Sequence, residues 1–320
     1  MSAVMARRAS PRAGVAIADA AVRELSEALG LPGVDLARPG APGLMAPGVL
    51  LRAADGWVHP GPPTAWPDFA AMISVLASPD DLHGRRGTPE PGEGGLPDVS
   101  MLSAEAIDRE AGEWQLPVAA VRPGPTSAPV VPWPSRPVRE LDATVVVLGA
   151  TWAAPLAGRV LHELGAHVVR VTDPRRPDPF PLRDALRAGQ SVTSLDLGIA
   201  SERDRFAALL ERADLLIDAT TPRVLRNVGL ADAQVPIVRI AAFADDDRPG
   251  YGLAAEARGG WAARHDPPRL GRSSVADPVA GLLAVMLAVG VLVDGNRTAR
   301  ARVSLEEAVG HLLALERRDA

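Results

Sequence analysis

The sequence predicts an α/β protein in which a smaller N-terminal α+β domain precedes a doubly wound, Rossmann-like parallel sheet. After about residue 136, short runs rich in valine, isoleucine and leucine alternate with helix-length segments, as strands and crossover helices do. Residues 144–172 place two such runs around one helical segment, which implies parallel strands joined by a right-handed crossover. Before residue 135 the chain is rich in proline and glycine, and its apolar runs are short. We therefore expect a small domain over residues 1–135 and a sheet domain over residues 136–320.

The elements of the small domain are predicted from helical spacing and from turn residues. Asp55-Gly56 separates two strand-like runs within residues 48–60, which is typical of a β-hairpin. Ser103 stands where the N-cap of a helix is expected. The proline-rich residues 123–137 predict a stiff linker between the two domains. Helices are predicted over residues 20–29, 66–77 and 103–114.

The sheet domain is predicted to contain six strands and five helices. Strands are predicted over residues 144–148, 167–172, 191–197, 214–218, 236–242 and 302–305. Helices are predicted over residues 155–164, 202–212, 222–228, 277–293 and 306–317. The longest apolar run, residues 279–293, is shorter than the roughly 18–20 residues that span a bilayer. It therefore predicts a buried core helix and no association with a membrane.

Composition excludes several classes of function. The 320 residues are 47% hydrophobic and carry a formal net charge of −5, which gives no electrostatic reason to bind nucleic acid. All 34 basic residues are arginine, so a Schiff-base lysine and a P-loop lysine are absent. The chain has no cysteine, which excludes thiol nucleophiles, disulfides and thiolate metal sites. The N-terminal segment has no continuous apolar run of the kind found in signal peptides, so we expect a cytoplasmic protein.

The usual cofactor and nucleophile motifs have little support. The turn after the first strand of the sheet domain does not read GxGxxG, because the bulky Trp152 occupies a position where a pyrophosphate needs bare backbone. Asp173 follows at about the spacing of a ribose-binding acid, roughly 20 residues, so a nicotinamide site stays open. The six histidines show neither HxxxH nor HExxH spacing, so we expect no metal. The GxSxG motif of serine hydrolases is also absent.

Asp277 is the most informative acid in the sequence. It stands directly before Pro278 and the most apolar helix, where an aspartate N-cap followed by proline at N1 is a good helix start. The same position also suits a nucleophile, because a carboxylate at a helix N-terminus is held in place and kept ionised by the helix dipole. Spacing alone favours the cap and leaves the nucleophile open.

Five sequence blocks occur in the order found in one enzyme superfamily. They are residues 144–173 (TVVVLGATWAAPLAGRVLHELGAHVVRVTD), 188–197 (AGQSVTSLDL), 213–218 (ADLLID) with the following Pro222 and Gly229, 276–282 (ADPVAGL) and 303–308 (VSLEEA). This series resembles the class III CoA-transferases, the superfamily of formyl-CoA transferase, carnitine CoA-transferase and α-methylacyl-CoA racemase. In that family the aspartate of the x-D-x-x-A-G block is the catalytic nucleophile, and Asp277 falls on it.

The resemblance also implies where coenzyme A would bind. CoA would lie over the turn after the first strand, at Thr151, Trp152, Ala153 and Pro155, with adenine near Asp173 and the segment from Asp218 to Pro222. Gln190, Ala219 and Thr220 occupy positions that bind CoA in relatives, although the residue types differ here. Arg175 and Arg187 are candidates for the CoA phosphates, because arginine gives bidentate, charge-assisted bonds. Taken singly, each of these two arginines is also typical of a solvated surface.

The resemblance has departures that bear on the function. The family begins with the α/β half, whereas here residues 48–58 (GVLLRAADGWV) resemble a segment of its smaller domain, so the domain order is permuted or the chain is a shortened tandem version. The lysine–arginine pair of the family has become Gln190-Ser191, and its asparagine–phenylalanine pair has become Ala219-Thr220. The G-H-D motif of the racemase branch is absent, which argues against racemisation.

Three functions therefore remain under consideration. The first is a CoA-transferase that moves CoA between an acyl-CoA and a carboxylic acid through an aspartyl-CoA intermediate on Asp277. The second is a degenerate, non-catalytic member that serves as a binding or partner subunit, and the third is an NAD-dependent dehydrogenase. Because relatives form interlocked dimers, the resemblance also implies a homodimer.

Overall fold

The computed structural model describes residues 48–77, 96–124, 140–150, 152–175, 186–229, 233–271 and 274–318. Within these residues the protein is a mixed α/β fold with a three-stranded antiparallel sheet and a six-stranded parallel sheet. The predicted helix at residues 20–29 and most of the predicted linker lie outside the described residues. The predicted boundary between residues 135 and 136 lies there as well.

The small sheet forms around the predicted hairpin. Strands β1 (Leu51–Arg52) and β2 (Trp57–His59) pair antiparallel across the Asp55-Gly56 turn, and β3 (Ala119–Ala120) pairs with β2. The hairpin is confirmed, whereas β3 was not predicted, because two alanines carry no strand signal. Helices α1 (Trp66–Leu76) and α2 (Ala104–Glu113) cover this sheet and supply core side chains such as Phe69, Met72 and Ile107.

The large sheet has the strand order of a doubly wound fold. Its parallel strands are β4 (Thr144–Leu148), β5 (His167–Thr172), β6 (Ser191–Ser194), β7 (Leu215–Asp218), β8 (Ile237–Ala241) and β9 (Arg300–Ser304). They pair in the order β6-β5-β4-β7-β8-β9, so the chain runs outward from β4 to β6 and then returns to the other side of β4. The predicted doubly wound parallel sheet is confirmed, and its topological switch point lies between β4 and β7.

Helices cover both faces of this sheet. They are α3 (Ala153–Glu163), α4 (Ala200–Glu211), α5 (Pro222–Asn227), α6 (Gly252–Arg258), α7 (Ala276–Asp294) and α8 (Leu305–Arg318). One hydrophobic core contains α3 and α7, and a second core on the opposite face includes Phe206 and Leu210 of α4. All of these helices except α6 were predicted.

Helix α7 is the central helix of the larger core. It spans 19 residues and has a mean hydropathy of 2.2 in its most apolar window, so length and composition alone would suit a membrane span. However, 67% of that window is buried inside the protein, where α7 packs against α3 and α8. The predicted core helix is therefore observed, and burial in the fold accounts for its apolar sequence.

A buried ion network joins the small sheet region to the α/β half. The Arg248 guanidinium donates to the carboxylate of Asp108 on α2 at 2.7 Å and to the Asp108 carbonyl oxygen at 2.6 Å. Arg248 also pairs with Asp246 at 3.0 Å, and the Phe243 ring lies 4.7 Å from its guanidinium carbon. The guanidinium carbon of Arg258 on α6 lies 5.0 Å from the centre of the same ring. The carboxylates that pair with Arg258 are those of Asp245, Asp246 and Glu306.

Candidate active site

A cleft of about 760 Å³ opens at the carboxyl ends of the parallel strands. Its walls include Leu148 at the end of β4, Thr172 at the end of β5 and Ala241 at the end of β8, and Asp277 of α7 also lines it. The cleft spans the switch point between β4 and β7, where open α/β sheets bind their ligands. We therefore take this cleft as the candidate active site.

Gly149 brings two walls of the cleft close together. Its φ of 146° is a conformation that side chains other than hydrogen rarely adopt. A Cβ atom at this position would lie 2.9 Å from the Cβ atom of Ala219, which follows β7. Glycine therefore allows the turn after β4 to pass directly beside the turn after β7.

Asp277 is the second residue of α7 and is not its N-cap. Val275 holds the N-cap position and has no side-chain capping bond. Instead, the Ser274 hydroxyl oxygen accepts hydrogen bonds from the backbone N–H groups of Ala276, at 3.1 Å, and of Asp277, at 3.3 Å. The sequence interpretation of Asp277 as a cap is therefore wrong: Ser274 satisfies the backbone donors, and the Asp277 carboxylate lines the cleft.

Burial dominates the electrostatics of Asp277. It raises the pKa of the carboxyl above its ordinary value, and hydrogen bonds from the Ser274 side chain and from the Asp277 backbone oppose this rise. The helix dipole was expected to favour the ionised form of this acid, whereas loss of hydration acts in the opposite direction and gives the net rise of its pKa. A desolvated carboxylate is a stronger nucleophile than a hydrated one, since fewer water hydrogen bonds must break when it attacks.

Gly252 provides the space that the Asp277 carboxylate occupies. A Cβ atom at residue 252 would lie 2.0 Å from Oδ2 of Asp277 and 1.8 Å from Oγ of Ser274. Any side chain at this first position of α6 would force the carboxylate and the hydroxyl to move. Gly252 therefore determines where the carboxylate of Asp277 can point.

Glu256 lies beneath the start of α7 and was missed by the sequence analysis. Its side chain is almost fully buried, and Oε1 accepts hydrogen bonds from the N–H groups of Val275, at 2.7 Å, and Ala276, at 3.4 Å. Burial raises the pKa of Glu256 to about 8, and the nearby charge of Asp277 adds to that rise. The one available sequence signal was a lone acid within the alanine-rich run 253–257.

Asp218 organises the wall beside β7. Its carboxylate accepts hydrogen bonds from the Thr220 N–H at 2.9 Å and from the Thr220 hydroxyl at 2.6 Å, and it pairs with Arg239 at 2.7 Å. Burial raises the pKa of Asp218, and the Arg239 charge opposes this rise. Thr220 and Arg239 both line the cleft, so this buried carboxylate fixes the loop that follows β7.

Two arginines line the opposite side of the cleft. Arg175 pairs with Asp173 at 3.1 Å and with Asp196 at 3.2 Å, and these carboxylates raise its pKa. Arg203 donates to the carbonyl oxygens of Leu197 and Gly198 at 3.2 and 3.0 Å. Arg203 and Arg239 were not predicted, because single arginines on a helix and a strand give no motif.

The predicted site residues divide into two groups. Those that line the cleft are Ala153, Asp173, Arg175, Ala219, Thr220, Pro222 and Asp277. Those that do not line it are Trp152, Pro155, Arg187 and Gln190, while Thr151 lies outside the described residues. Trp152 and Pro155 are buried against the core, and the Gln190 amide donates to the carbonyl oxygens of Leu186 and Pro155. The described part of the chain contains no cluster of three metal-ligating side chains.

Comparison with known proteins identifies the family of this chain. The sequence model of CoA-transferase family III matches residues 141–314, which is more than half of the chain. The chain belongs to CoA-transferase family III. The match covers all six strands of the parallel sheet and Asp277.

Two curated CoA-transferases resemble parts of this family III chain. It is 32% identical over 147 residues to the acetyl-coenzyme A transferase nodX of Hypoxylon pulicicidum, which covers 43% of this chain and 25% of that protein. It is 26% identical over 199 residues to the succinyl-CoA–D-citramalate CoA-transferase of Chloroflexus aurantiacus, which covers 52% of this chain and 49% of that protein. The chain therefore spans half or less of the length of these curated relatives.

Solved structures include similar chains. A CAIB/BAIF family protein from Brucella suis aligns with 21% identity and a TM-score of 0.47, covering 55% of this chain and 56% of that chain.

Proposed function

We propose that this family III protein transfers CoA between an acyl-CoA and a carboxylic acid, with Asp277 as the nucleophile. The family match supports CoA transfer in general. The observation that carries the finer proposal is the position of Asp277, which lines the switch-point cleft while Ser274 supplies the helix cap. An aspartate that caps nothing and faces a cleft is available for chemistry.

The first half of the proposed reaction forms an aspartyl thioester. An Oδ atom of Asp277 attacks the carbonyl carbon of the acyl-CoA, the carbon–sulfur bond breaks, and CoA leaves as a thiolate. The product is a mixed anhydride of the acyl group and Asp277. The thiolate then attacks the aspartyl carbonyl carbon, which releases the acyl group as a carboxylate and leaves CoA on Asp277.

The second half repeats these steps with the acceptor. The acceptor carboxylate attacks the aspartyl thioester, CoA leaves as a thiolate, and a second mixed anhydride forms. The thiolate attacks the acceptor carbonyl carbon, so the new acyl-CoA forms and Asp277 is restored as a carboxylate. No proton is gained or lost over the cycle.

The test of this proposal compares two Asp→Asn variants on the same helix. Asp277→Asn removes the nucleophile, because an amide does not form the anhydride, and we expect turnover to fall by several orders of magnitude in a folded protein. Asp294→Asn changes the exposed last residue of α7 and should leave turnover unchanged. The screen uses acetyl-CoA and succinyl-CoA as donors, with a panel of small carboxylic acids as acceptors.

Trapping the aspartyl thioester with hydroxylamine tests the proposal without a measurement of turnover. Hydroxylamine attacks an aspartyl thioester, displaces CoA and leaves a hydroxamate, which peptide mass mapping would locate on Asp277. Wild type should acquire this modification only in the presence of an acyl-CoA, and Asp277→Asn should not. Equal transfer by wild type and Asp277→Asn would overturn the proposal.

A non-catalytic member of the family is the alternative, and one observation favours it. Gln190 and Arg187, which were predicted to bind CoA, do not line the cleft. Calorimetric titration that shows CoA binding without any hydroxamate on Asp277 would support this alternative, and NAD binding without CoA binding would support the dehydrogenase.

The predicted homodimer and cytoplasmic location stay predictions. We propose a homodimer because the resemblance to interlocked relatives implies one. Light scattering at micromolar concentration should give twice the chain mass of 33.4 kDa. A mass of one chain would contradict the dimer.

A further inference from the structure

Pro278 directly follows Asp277, the proposed nucleophile. The two are the third and second residues of helix α7; the Pro278 side chain is buried, whereas the Asp277 carboxylate lines the cleft. Proline is tolerated in the first turn of a helix, because the N–H groups there have no acceptor within the helix. Pro278 therefore suits a helix start on structural grounds. It also has a chemical property that matters beside a nucleophile, since proline carries no backbone N–H group.

The missing N–H group becomes important once the Asp277 carboxyl is activated. The backbone nitrogen of residue 278 can close a five-membered ring with the side-chain carbonyl carbon of an aspartyl thioester at residue 277. When that nitrogen carries a hydrogen, it attacks the carbon, the carbon–sulfur bond breaks, CoA leaves and takes up the proton as a thiol, and a succinimide remains. Water then opens the ring to aspartate or to isoaspartate. Such attacks are fast because the reacting groups are already joined.

Ser274 is a second nearby group that could capture the thioester. Its Oγ atom and Oδ2 of Asp277 lie 1.8 and 2.0 Å from the same point, the position that a Cβ atom on Gly252 would take. A hydroxyl oxygen has two lone pairs, and the N–H groups of Ala276 and Asp277 both donate to this oxygen. Because both lone pairs are engaged, the Ser274 oxygen is a poor nucleophile.

The walls of the cleft also contain few groups that would capture an activated acyl group. None of the described residues that line it is a lysine, cysteine, serine or histidine. Its side-chain hydroxyl groups belong to Thr172, Thr220, Thr221 and Tyr251. The best placed competitor that the chain could offer is therefore the backbone nitrogen of residue 278, which is tethered to Asp277.

We propose that Pro278 protects the activated Asp277 from succinimide formation. The inference rests on the proposed function of Asp277, because a free carboxylate does not need this protection. The helical backbone holds the nitrogen of residue 278 out of line for the attack, so an N–H group there would react when the first turn of α7 opens. Proline prevents the reaction in the closed and in the opened turn alike. This matters for an enzyme that forms the thioester in every catalytic cycle.

The test replaces Pro278 with residues that restore the N–H group. Pro278→Ala keeps the helix, because alanine is the best helix former, and Pro278→Val fills more of the buried volume. Each variant and wild type are incubated with acetyl-CoA or succinyl-CoA and without an acceptor, so that the thioester is not consumed. We expect Pro278→Ala to lose activity about tenfold faster than wild type. Pro278→Val should lose it more slowly than Pro278→Ala, since a branched side chain hinders the attacking nitrogen.

Peptide mass mapping, on samples without hydroxylamine, detects the product directly. A succinimide at residue 277 lacks one water relative to aspartate, and an isoaspartyl methyltransferase labels the opened form. The modification should require acyl-CoA. Asp294-Gly295 at the end of α7 is the internal reference, because isoaspartate there forms without activation and should be equal with and without acyl-CoA. Pro67→Ala, in the first turn of α1 and outside the cleft walls, is the control and should be as durable as wild type.

The outcomes distinguish this inference from the proposed function. Suppose that hydroxylamine gives a hydroxamate on Asp277 of wild type, but neither Pro278 variant acquires a succinimide or isoaspartate. The inference is then overturned and the proposed function stands. If wild type forms no hydroxamate, both are overturned. If Pro278→Ala transfers CoA more slowly without any modification of Asp277, Pro278 only shapes the helix start, which also overturns the inference.

Discussion

Two buried clusters of ionisable side chains meet on helix α6 and have opposite compositions. At the domain junction, Arg258 of α6 and Arg248 are surrounded by carboxylates, so cations and anions are paired. Beside the cleft, Glu256 of α6 and Asp277 lie together, and no arginine of the described residues pairs with either. Asp108, Arg248 and Arg258 of the first cluster and Glu256 of the second are each 5% exposed or less, so burial alone does not explain their behaviour.

This difference in charge pairing indicates what each cluster contributes to the protein. In a paired network, short ion pairs offset much of the free-energy cost of removing the charges from water. The pairs between Arg248 and Asp108 also hold the small sheet region against the α/β half. Two adjacent carboxyls without a cation destabilise the fold, and the pKa of each is raised by burial. Perturbed acids of this kind cluster where chemistry requires them. One cluster is therefore structural, and the other is the candidate catalytic centre.

The most direct comparison makes an Asp→Asn substitution in each of the two clusters. Asp108→Asn removes the carboxylate that Arg248 and Arg122 share, and leaves buried guanidinium charge under-compensated. We expect a loss of about 3 kcal/mol in the free energy of unfolding, measured by urea denaturation. Transfer per folded molecule should persist, because Asp108 does not line the cleft and its partner Arg248, which does, keeps the ion pair with Asp246.

The control for Asp108→Asn is Asp98→Asn, an exposed aspartate in the same region whose amide would still accept the Ser100 N–H. Its stability should change by about 0.5 kcal/mol or less. Asp277→Asn should show the reverse of Asp108→Asn, with stability retained and transfer lost. If Asp108→Asn and Asp277→Asn lose stability equally, the division into two kinds of cluster is wrong.

Gly252→Ala is expected to have the next largest effect. The added methyl group occupies the position of Asp277 Oδ2 and Ser274 Oγ, so the carboxylate must turn away. A displacement of about 1 Å lowers rates roughly a hundredfold, which steady-state transfer assays would detect. Gly290→Ala on α7 is the control, because a Cβ atom there has no neighbour within 4 Å. Full activity in Gly252→Ala would show that the position of Asp277 is not critical.

The pH dependence of the free energy of unfolding is a third way to distinguish the two clusters. Glu256 has a folded pKa of about 8 and an ordinary value of 4.5, so the folded state retains a proton that the unfolded state has lost between those values. Wild type should therefore lose up to about 1.4 kcal/mol of unfolding free energy per pH unit in that window, relative to Glu256→Gln. Urea denaturation from pH 4 to pH 9 measures this, and parallel curves would contradict it.

Ser274→Ala should have a small effect on stability. The Ser274 oxygen caps α7, and its removal should cost about 1 kcal/mol. Ser103→Ala removes the equivalent cap of α2 and should cost about as much. The two variants should differ in activity, because Ser274 also contacts Asp277, and Ser103 does not line the cleft. If Ser274→Ala and Ser103→Ala have the same thermal stability and the same transfer rate, Ser274 has no role in the candidate active site.

Much of the fold was predictable because its elements carry strong local signals. The strands Thr144–Leu148 and His167–Thr172 were predicted with the observed bounds, since both are buried runs rich in valine. Helix α6 was missed because every one of its residues is buried, so it has no polar face and no amphipathic period. Strand β3 was missed because its pairing with β2 depends on a partner far away in the sequence.

The candidate site was predictable only where a family pattern exists. Asp277 was found through its sequence block, but its relation to Ser274 and Gly252 depends on the packing of α6 against α7. Glu256 has no motif, and its properties come from burial, which a sequence does not display. Trp152 and Gln190 were expected at the cleft because the family resemblance places CoA there, yet neither lines it.

The strand order of the large sheet also has a consequence for folding. The β1–β2 hairpin closes across a four-residue turn, and local hairpins form within about 1–10 μs. Every pairing in the parallel sheet instead requires a crossover, and among the described strands β9, at residues 300–304, pairs with β8 alone. During synthesis the edge of β8 therefore stays exposed until the ribosome has passed residue 304, long after the hairpin has formed. In a cell, that interval is when chaperones would have the most reason to bind the nascent chain.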